Sequence, residues 1–425
     1  MEIALISKHA LYQERSDNCI TELRRLKMIG MPDEGYSLND EFPDHISKAY
    51  LLFGTDCNIN CTYCTVKYNL DDSSPPLIMS EETLRHSVDL LFSDKPVEHI
   101  TLYGGEPMLH RQRLLQFFDS LKNVSPMYLP RIDLITNGTI YDVELMQKFK
   151  EYNVFVIISL DGNQEQHDAF RKDYEGKGTF ARVIDGIHEY QHFGLSVGVS
   201  LVLGRHNYQS IGEICKKMKR ELGVASIGIT LPHIEPHVLS NREFEKFITN
   251  EYHTILEICQ DEQLWFEQGM KRLKSLVEKR RFIYGCPTSS KGAMIRILPN
   301  GEITLCENMG LRGQFIVGNV NCKNIKKADI IENPLFRSWY SRCTNFFEEC
   351  RNCRAYAICG MGCPYDAFLQ NGTIMNVEKR GCSITKQAID WFFNRILDAH
   401  KSPEEIIVLE PSSRDEAIVK EPWKK

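Results

Sequence analysis

The 425-residue sequence contains no apolar run near the roughly 18 residues that a membrane span needs. It has no excess of positive charge either: 51 Lys and Arg face 57 Asp and Glu, a formal net charge of −6. That balance gives no basic field for a phosphate backbone and argues against nucleic acid as a partner. Internal repeats and low-complexity tracts are absent. The first ten residues are apolar but broken by Glu2, Lys8 and His9, and no small-residue cleavage site follows, so no signal peptide is expected. A cytoplasmic protein with no membrane partner is the resulting expectation. Hydrophobic content of 42% and charged content of 25% are ordinary for a globular chain, and the length allows two or three packed units.

Cysteine, by contrast, is abundant, at 15 residues. In a large chain without an export signal, spaced cysteines more often hold metals or clusters than disulfides. Cys57, Cys61 and Cys64 form a C-x3-C-x2-C loop directly after the apolar run Ala49–Phe53, which reads as a buried strand. At this cysteine frequency, chance would place such a pattern roughly 0.02 times in the chain, so coincidence explains it poorly. Three thiolates can hold three irons of a [4Fe–4S] cluster and leave the fourth open to a chelating ligand. A structural zinc site would want four protein ligands, and none stands nearby in sequence.

Further along, His99–Tyr103 reads as a strand ending in Gly104, Gly105, Glu106 and Pro107. Glycines admit a ligand to the backbone, and a carboxylate suits an ammonium group. Strand-like segments at 131–135, 154–160, 195–203 and 226–231 follow. Helical segments at 80–94, 143–152 and 208–222 stand among them, the rhythm of a parallel sheet with ligands at the carboxyl ends of its strands. His167 and Arg171, four apart, would share a helix face, and on spacing alone they read as a solvated pair.

A second constellation occupies the C-terminal third. Cys286 and Cys306 are followed by Cys350, Cys353, Cys359 and Cys363 in a C-x2-C-x5-C-x3-C pattern, then by Cys382. Chance expectation for the four-cysteine spacing is roughly 0.0006. Residues 295–306 read as a β-hairpin turning at Asn300-Gly301. Cys19, Cys215 and Cys259 have no partners by spacing and read as small buried hydrophobes. Segment 241–282 has the apolar spacing of helices, with Trp265 and Phe266 as core, and the proline- and charge-rich tail after Lys401 reads as a loose surface segment.

The cysteine loop, with aromatic Tyr63 between its second and third thiols, resembles the signature of the radical S-adenosylmethionine (radical SAM) superfamily. The seven later cysteines resemble the SPASM extension of its peptide- and protein-modifying branch. The resemblance implies an α/β fold, a partial (β/α)6 TIM-like barrel with a C-terminal iron–sulfur (SPASM) domain. The corresponding boundaries are an N-terminal extension (1–45), the barrel (46–240), a helical bridge (241–285), the auxiliary-cluster domain (286–385), and a C-terminal helix and charged tail (386–425). It also implies S-adenosylmethionine and three [4Fe–4S] clusters as cofactors. In the family the open iron is chelated by SAM, and reductive cleavage yields a 5′-deoxyadenosyl radical that takes a substrate hydrogen.

Carried over by resemblance, Cys57, Cys61 and Cys64 hold the SAM cluster. Tyr63, Gly104, Gly105, Glu106, Pro107, Asn137, Ser159, Asp161 and Arg171 line the SAM site. Cys350, Cys353, Cys359 and Cys382 hold an outer auxiliary cluster, and Cys286, Cys306 and Cys363 an inner one. Glu307 stands where sulfatase maturases of this branch have a catalytic Asp, which makes it the candidate base. The expected partners are a peptide or protein substrate and a flavodoxin- or ferredoxin-like electron donor.

Three readings follow. The first is a maturase that crosslinks a ribosomally made peptide through a thioether or carbon–carbon bond. The second is a sulfatase maturase forming formylglycine, and the third a non-catalytic electron carrier. Against the second, no cysteine stands shortly after Cys286, Tyr103 replaces the usual Gln, and Val66 replaces the usual Tyr. The missing thiol leaves the fourth ligand of the inner cluster open, to Cys322, Cys343 or an exchangeable group. Against the third, a carrier would have no need of a SAM site.

Overall fold

Among the described residues ten strands form one sheet: β1 (Ile46–Leu52), β2 (His99–Tyr103), β3 (Arg131–Thr136), β4 (Phe155–Ser159), β5 (Val197–Val202), β6 (Ser226–Thr230), β7 (Trp265–Phe266), β8 (Ala293–Ile297), β9 (Glu302–Thr304) and β10 (Ile316–Asn319). Their spatial order is β10-β9-β8-β1-β2-β3-β4-β5-β6-β7. The computed structural model describes residues 43–70, 75–277, 293–344, 348–350, 353, 355, 359, 362–399 and 403–408. Almost all of the expected extension, together with Cys19, Cys286 and the end of the tail, lies outside the described residues.

From β1 to β7 every neighbouring pair is parallel. β1 shows why: in ISKAYLL all residues but Tyr50 are buried, as in a strand covered on both faces. Crossover helices include 81–92, 111–121, 143–151, 180–192 and 211–222. Their ends are written locally. Ser80 Oγ accepts from Thr83 N at 3.0 Å, Asp142 Oδ1 accepts from Leu145 N at 2.9 Å, and Gly223 closes its helix at φ 62°. The strand–helix fold is the expected α/β partial barrel.

The sheet extends past the six expected units at both ends. Trp265 and Phe266, buried as expected, form a two-residue strand beside β6, too short to leave a periodic signal. The expected hairpin is present as β8–β9, and β8 also pairs in parallel with β1. Hence the first element of the cysteine array is continuous with the barrel sheet. Cys215 and Cys259 are fully buried on packed helices, as expected.

At the amino ends of the strands, Lys48, His99 and Arg131 stand in register on β1, β2 and β3. Asp133 holds His99 at 2.8 Å and Arg131 at 3.0 Å, and burial pushes the Lys48 ammonium down to about 7. This polar layer occupies one end of the sheet, and the motif loops leave from the other. Among the described residues, no helix is long and apolar enough to cross a membrane.

Candidate active site at the carboxyl ends of the strands

The loops after β1, β2, β3 and β4 meet around the three cysteines. Gly105 N donates to Gly54 O at 2.9 Å and Glu106 N to Asp56 O at 2.8 Å, which ties the glycine segment to the cysteine loop. A Cβ on Gly105 would stand 2.0 Å from Asp56 O, so only glycine fits. Glu106 is fully buried and accepts from Asn137 N at 2.7 Å, Thr136 Oγ1 at 2.7 Å and Met108 N at 3.0 Å. Burial nevertheless pushes its carboxyl up to about 7. Pro107 opens the buried turn that follows.

On the other side, Asn60 N donates to Lys172 O at 2.6 Å and Thr62 N to Phe170 O at 3.1 Å. Between these bonds Arg171 turns inward. Its Nε lies 3.0 Å from Asp161 Oδ2, and its Nη1 lies 3.8 Å from Cys61 Sγ. Arg171 and His167 are therefore buried, contrary to the solvated pair that their spacing suggests. The capping box Asn163–Gln166 sets the short helix 164–170 so that its last turn faces the cluster loop. Asp161 also accepts from Tyr63 Oη and from Val202 N, so its oxygens are engaged inside the protein. Ser159 is half-buried at the end of β4. Asn207, which no motif announces, donates to both Asp161 O and Val202 O at 2.9 Å and fixes this corner.

The donor set suits an iron–sulfur cluster. Three unpaired thiols stand on one loop, with Arg171 directed at Cys61 and Asn137 Nδ2 3.7 Å from Cys57 Sγ. Burial pushes the Cys57 and Cys61 thiols up to about 12 and about 11, so the apo site disfavours bare thiolates, which bound iron would stabilise. An open cleft of about 670 Å³, bounded by Asn60, Cys61, Cys64 and Tyr68, lies against the loop.

Four cysteines of the C-terminal array stand near one another. Cys382 hydrogen-bonds to Cys359 beside Cys350, and Cys350 in turn lies near Cys353 and Cys359, so these four converge. Cys306 is buried at the start of the turn 307–310, and Cys363 caps the helix 364–371. Cys322 is exposed and sits at the wrong end of the hairpin to join Cys306. Val320 N bonds Gly301 O, and Cys306 lies roughly 15 Å further along the extended chain.

Glu307 pairs with Arg296 of β8 at 2.5 Å, and the guanidinium stacks over the Tyr50 ring at 5.4 Å. The Tyr103 hydroxyl is pushed up by burial and by the nearby Glu307 and Cys64. Glu307 thus faces the cysteine loop, a juxtaposition that depends on β8 pairing with β1. Asn69, just past the cysteine loop, accepts from Arg312 Nε at 2.5 Å and Tyr365 Oη at 3.1 Å and donates to Asn308 at 3.1 Å, tying both halves of the site together.

Residues 51–218 match the radical SAM superfamily. That segment of the chain carries a radical SAM domain. A radical SAM chain binds S-adenosylmethionine and a [4Fe–4S] cluster. The chain is 32% identical over 162 residues to a serine-type anaerobic sulfatase-maturating enzyme of Bacteroides thetaiotaomicron. That alignment covers 36% of this chain and 38% of that protein. Two solved structures share the fold. One is native anSMEcpe with bound AdoMet and the Cp18Cys peptide, with a TM-score of 0.70 and 18% identity over 83% of this chain and 98% of that one. The other is Streptococcus suis SuiB bound to precursor peptide SuiA, with a TM-score of 0.58 and 12% identity over 88% of each chain.

Proposed function

We propose that this radical SAM enzyme is a peptide maturase that abstracts hydrogen from a ribosomally made peptide to form a thioether or carbon–carbon crosslink. It would carry two auxiliary clusters, one on Cys350, Cys353, Cys359 and Cys382 and one on Cys286, Cys306 and Cys363. When bound, SAM and its cluster supply a 5′-deoxyadenosyl radical. The chain supplies the rest. Glu106 and the glycine segment receive the methionine ammonium, while Arg171 and Asn137 hold the cluster thiolates in place. Glu307 takes the proton released as the product radical is oxidised.

The observation that carries this reading is the pairing of β8 with β1. It brings Glu307, the residue after Cys306, near Tyr103 and Cys64 of the barrel. A base and electron-accepting clusters beside the SAM site suit net two-electron oxidation of a side chain. The likeness to SuiB, solved with a precursor peptide, supports a peptide as the substrate.

A second reading, formylglycine formation on a sulfatase, is favoured by the 32% identity to a sulfatase-maturating enzyme. Tyr103 and Val66, which depart from that group, count against it.

Iron and sulfide analysis after anaerobic reconstitution tests the cluster count. About twelve irons, falling by about four in the Cys57→Ala, Cys61→Ala, Cys64→Ala variant, is the expected result. About four irons in the wild type would remove the two-cluster array and the main support for a peptide maturase. Mass spectrometry of a neighbouring-gene peptide beside a sulfatase-derived peptide then separates the two substrate readings.

A further inference from the structure

His233 follows β6 and belongs to none of the motifs above, yet it stands beside the cysteine array. Its Nδ1 lies 2.7 Å from Asp366 Oδ1, and Arg380 Nη2 holds the other oxygen of that carboxylate at 2.9 Å. The Tyr365 ring meets the imidazole edge-on at 5.3 Å. Donor atoms of His233, Cys363 and Asp366 all lie within 4.8 Å of one another. His233 and Asp366 are nearly enclosed, with side chains 15% and 5% exposed.

We propose that His233 is the fourth, non-cysteine ligand of the inner auxiliary cluster, with Asp366 as its positioning residue. The inference rests on the two-cluster reading above and names the ligand that reading leaves open. Metal-ligating histidines characteristically give their second ring N–H to a carboxylate, which fixes the tautomer and raises ligand basicity. Asp366 does this to Nδ1, so Nε2 carries the lone pair. Arg380 clamps the carboxylate from the far side, and Tyr365 restricts ring rotation. Cys363 lies three residues before Asp366, so one turn of chain supplies both a thiolate and the group that orients the imidazole. Cys322 is excluded by its place on the hairpin.

The ligand type has a consequence. A neutral imidazole in place of a thiolate removes one negative charge from the cluster, which makes it easier to reduce. An inner cluster of that kind is a better acceptor for an electron leaving a substrate radical.

The test uses full-length protein carrying Cys57→Ala, Cys61→Ala and Cys64→Ala, so that only auxiliary clusters contribute, grown with ¹⁵N-histidine and reduced with dithionite. Pulsed EPR is expected to detect a directly coordinated histidine nitrogen. That coupling is expected to vanish when His233→Ala or His233→Cys is added. His233→Cys is expected to retain about eight irons and to move the midpoint potential of one cluster lower. Asp366→Asn is expected to keep the nitrogen coupling while shifting the same potential. About eight irons with no histidine coupling, or coupling that survives His233→Ala, overturns the ligation and leaves the two-cluster reading standing. About four irons or fewer overturns the two-cluster reading and this inference with it. If the alanine variant fails to fold, loss or survival of the coupling in His233→Cys carries the assignment.

Discussion

Arg171 and Asp161 form an enclosed ion pair, 3.0 Å between Nε and Oδ2, and the same guanidinium reaches Cys61 Sγ. One arginine thereby links the loop after β4 to the first cysteine motif. Breaking a buried pair by removing one partner leaves an uncompensated charge and costs about 3–5 kcal/mol. Asp161→Asn is expected to lower the melting temperature and to release iron from the SAM cluster. Full iron occupancy with an unchanged melting curve would remove Arg171 from any part in holding that cluster.

Gly105 offers a second, sterically defined test. A methyl group there meets the Asp56 carbonyl at 2.0 Å, and neither partner is a flexible side-chain tip. Gly105→Ala is expected to force the cysteine loop away, with about four irons lost while the auxiliary clusters remain. Iron analysis and the SAM-dependent spectral change of the reduced cluster report it.

Glu106 sets a pH dependence. Burial raises its carboxyl from 4.5 to about 7, so in ligand-free protein its stability contribution is fully present below pH 4.5 and lost as pH rises through about 7. An ammonium group beside it favours the ionised form. SAM affinity is therefore expected to rise about tenfold between pH 6 and pH 8, following the ionised fraction of this group. Glu106→Gln should flatten that profile and weaken binding at pH 8. Calorimetry over this range checks both, and a pH dependence that survives in Glu106→Gln assigns the titration elsewhere.

Glu307 distinguishes radical generation from product formation. Glu307→Gln is expected to leave 5′-deoxyadenosine formation intact and to lower product yield by roughly 10²–10⁴-fold. Because Glu307 also pairs with the buried Arg296, Glu307→Asp serves as the control and should recover part of the yield. Equal product from Glu307→Gln and wild type would take this carboxylate out of the chemistry.

Much of the site is contiguous in sequence and was legible there. The three thiols fall within eight residues, and the glycine segment directly ends a strand whose bounds are readable from its apolar run. Strands β1 to β6 announce themselves through continuous burial and the helices between them. Arg171 was misread on spacing alone, because a four-residue interval shows that two side chains share a face but not which way that face points. Its burial is set by the capped helix 164–170 and by the backbone bonds from Asn60 and Thr62. Asn207, Arg296 and His233 had no signal at all. Each is a single polar residue outside any repeat: Asp161 stands 46 residues from Asn207 and Asp366 stands 133 from His233, while Arg296 meets Glu307 only once the hairpin has formed.

The sequence by itself determined the cysteine loop, the strand–helix rhythm and the later cysteine array, because spacing and periodicity are local properties of the chain. Only the tertiary structure decided that β8 joins β1, that Glu307 faces the cysteine loop, and that His233 stands beside Cys363. Those are long-range pairings, and they are fixed by which buried faces and charges can satisfy one another once the sheet has formed.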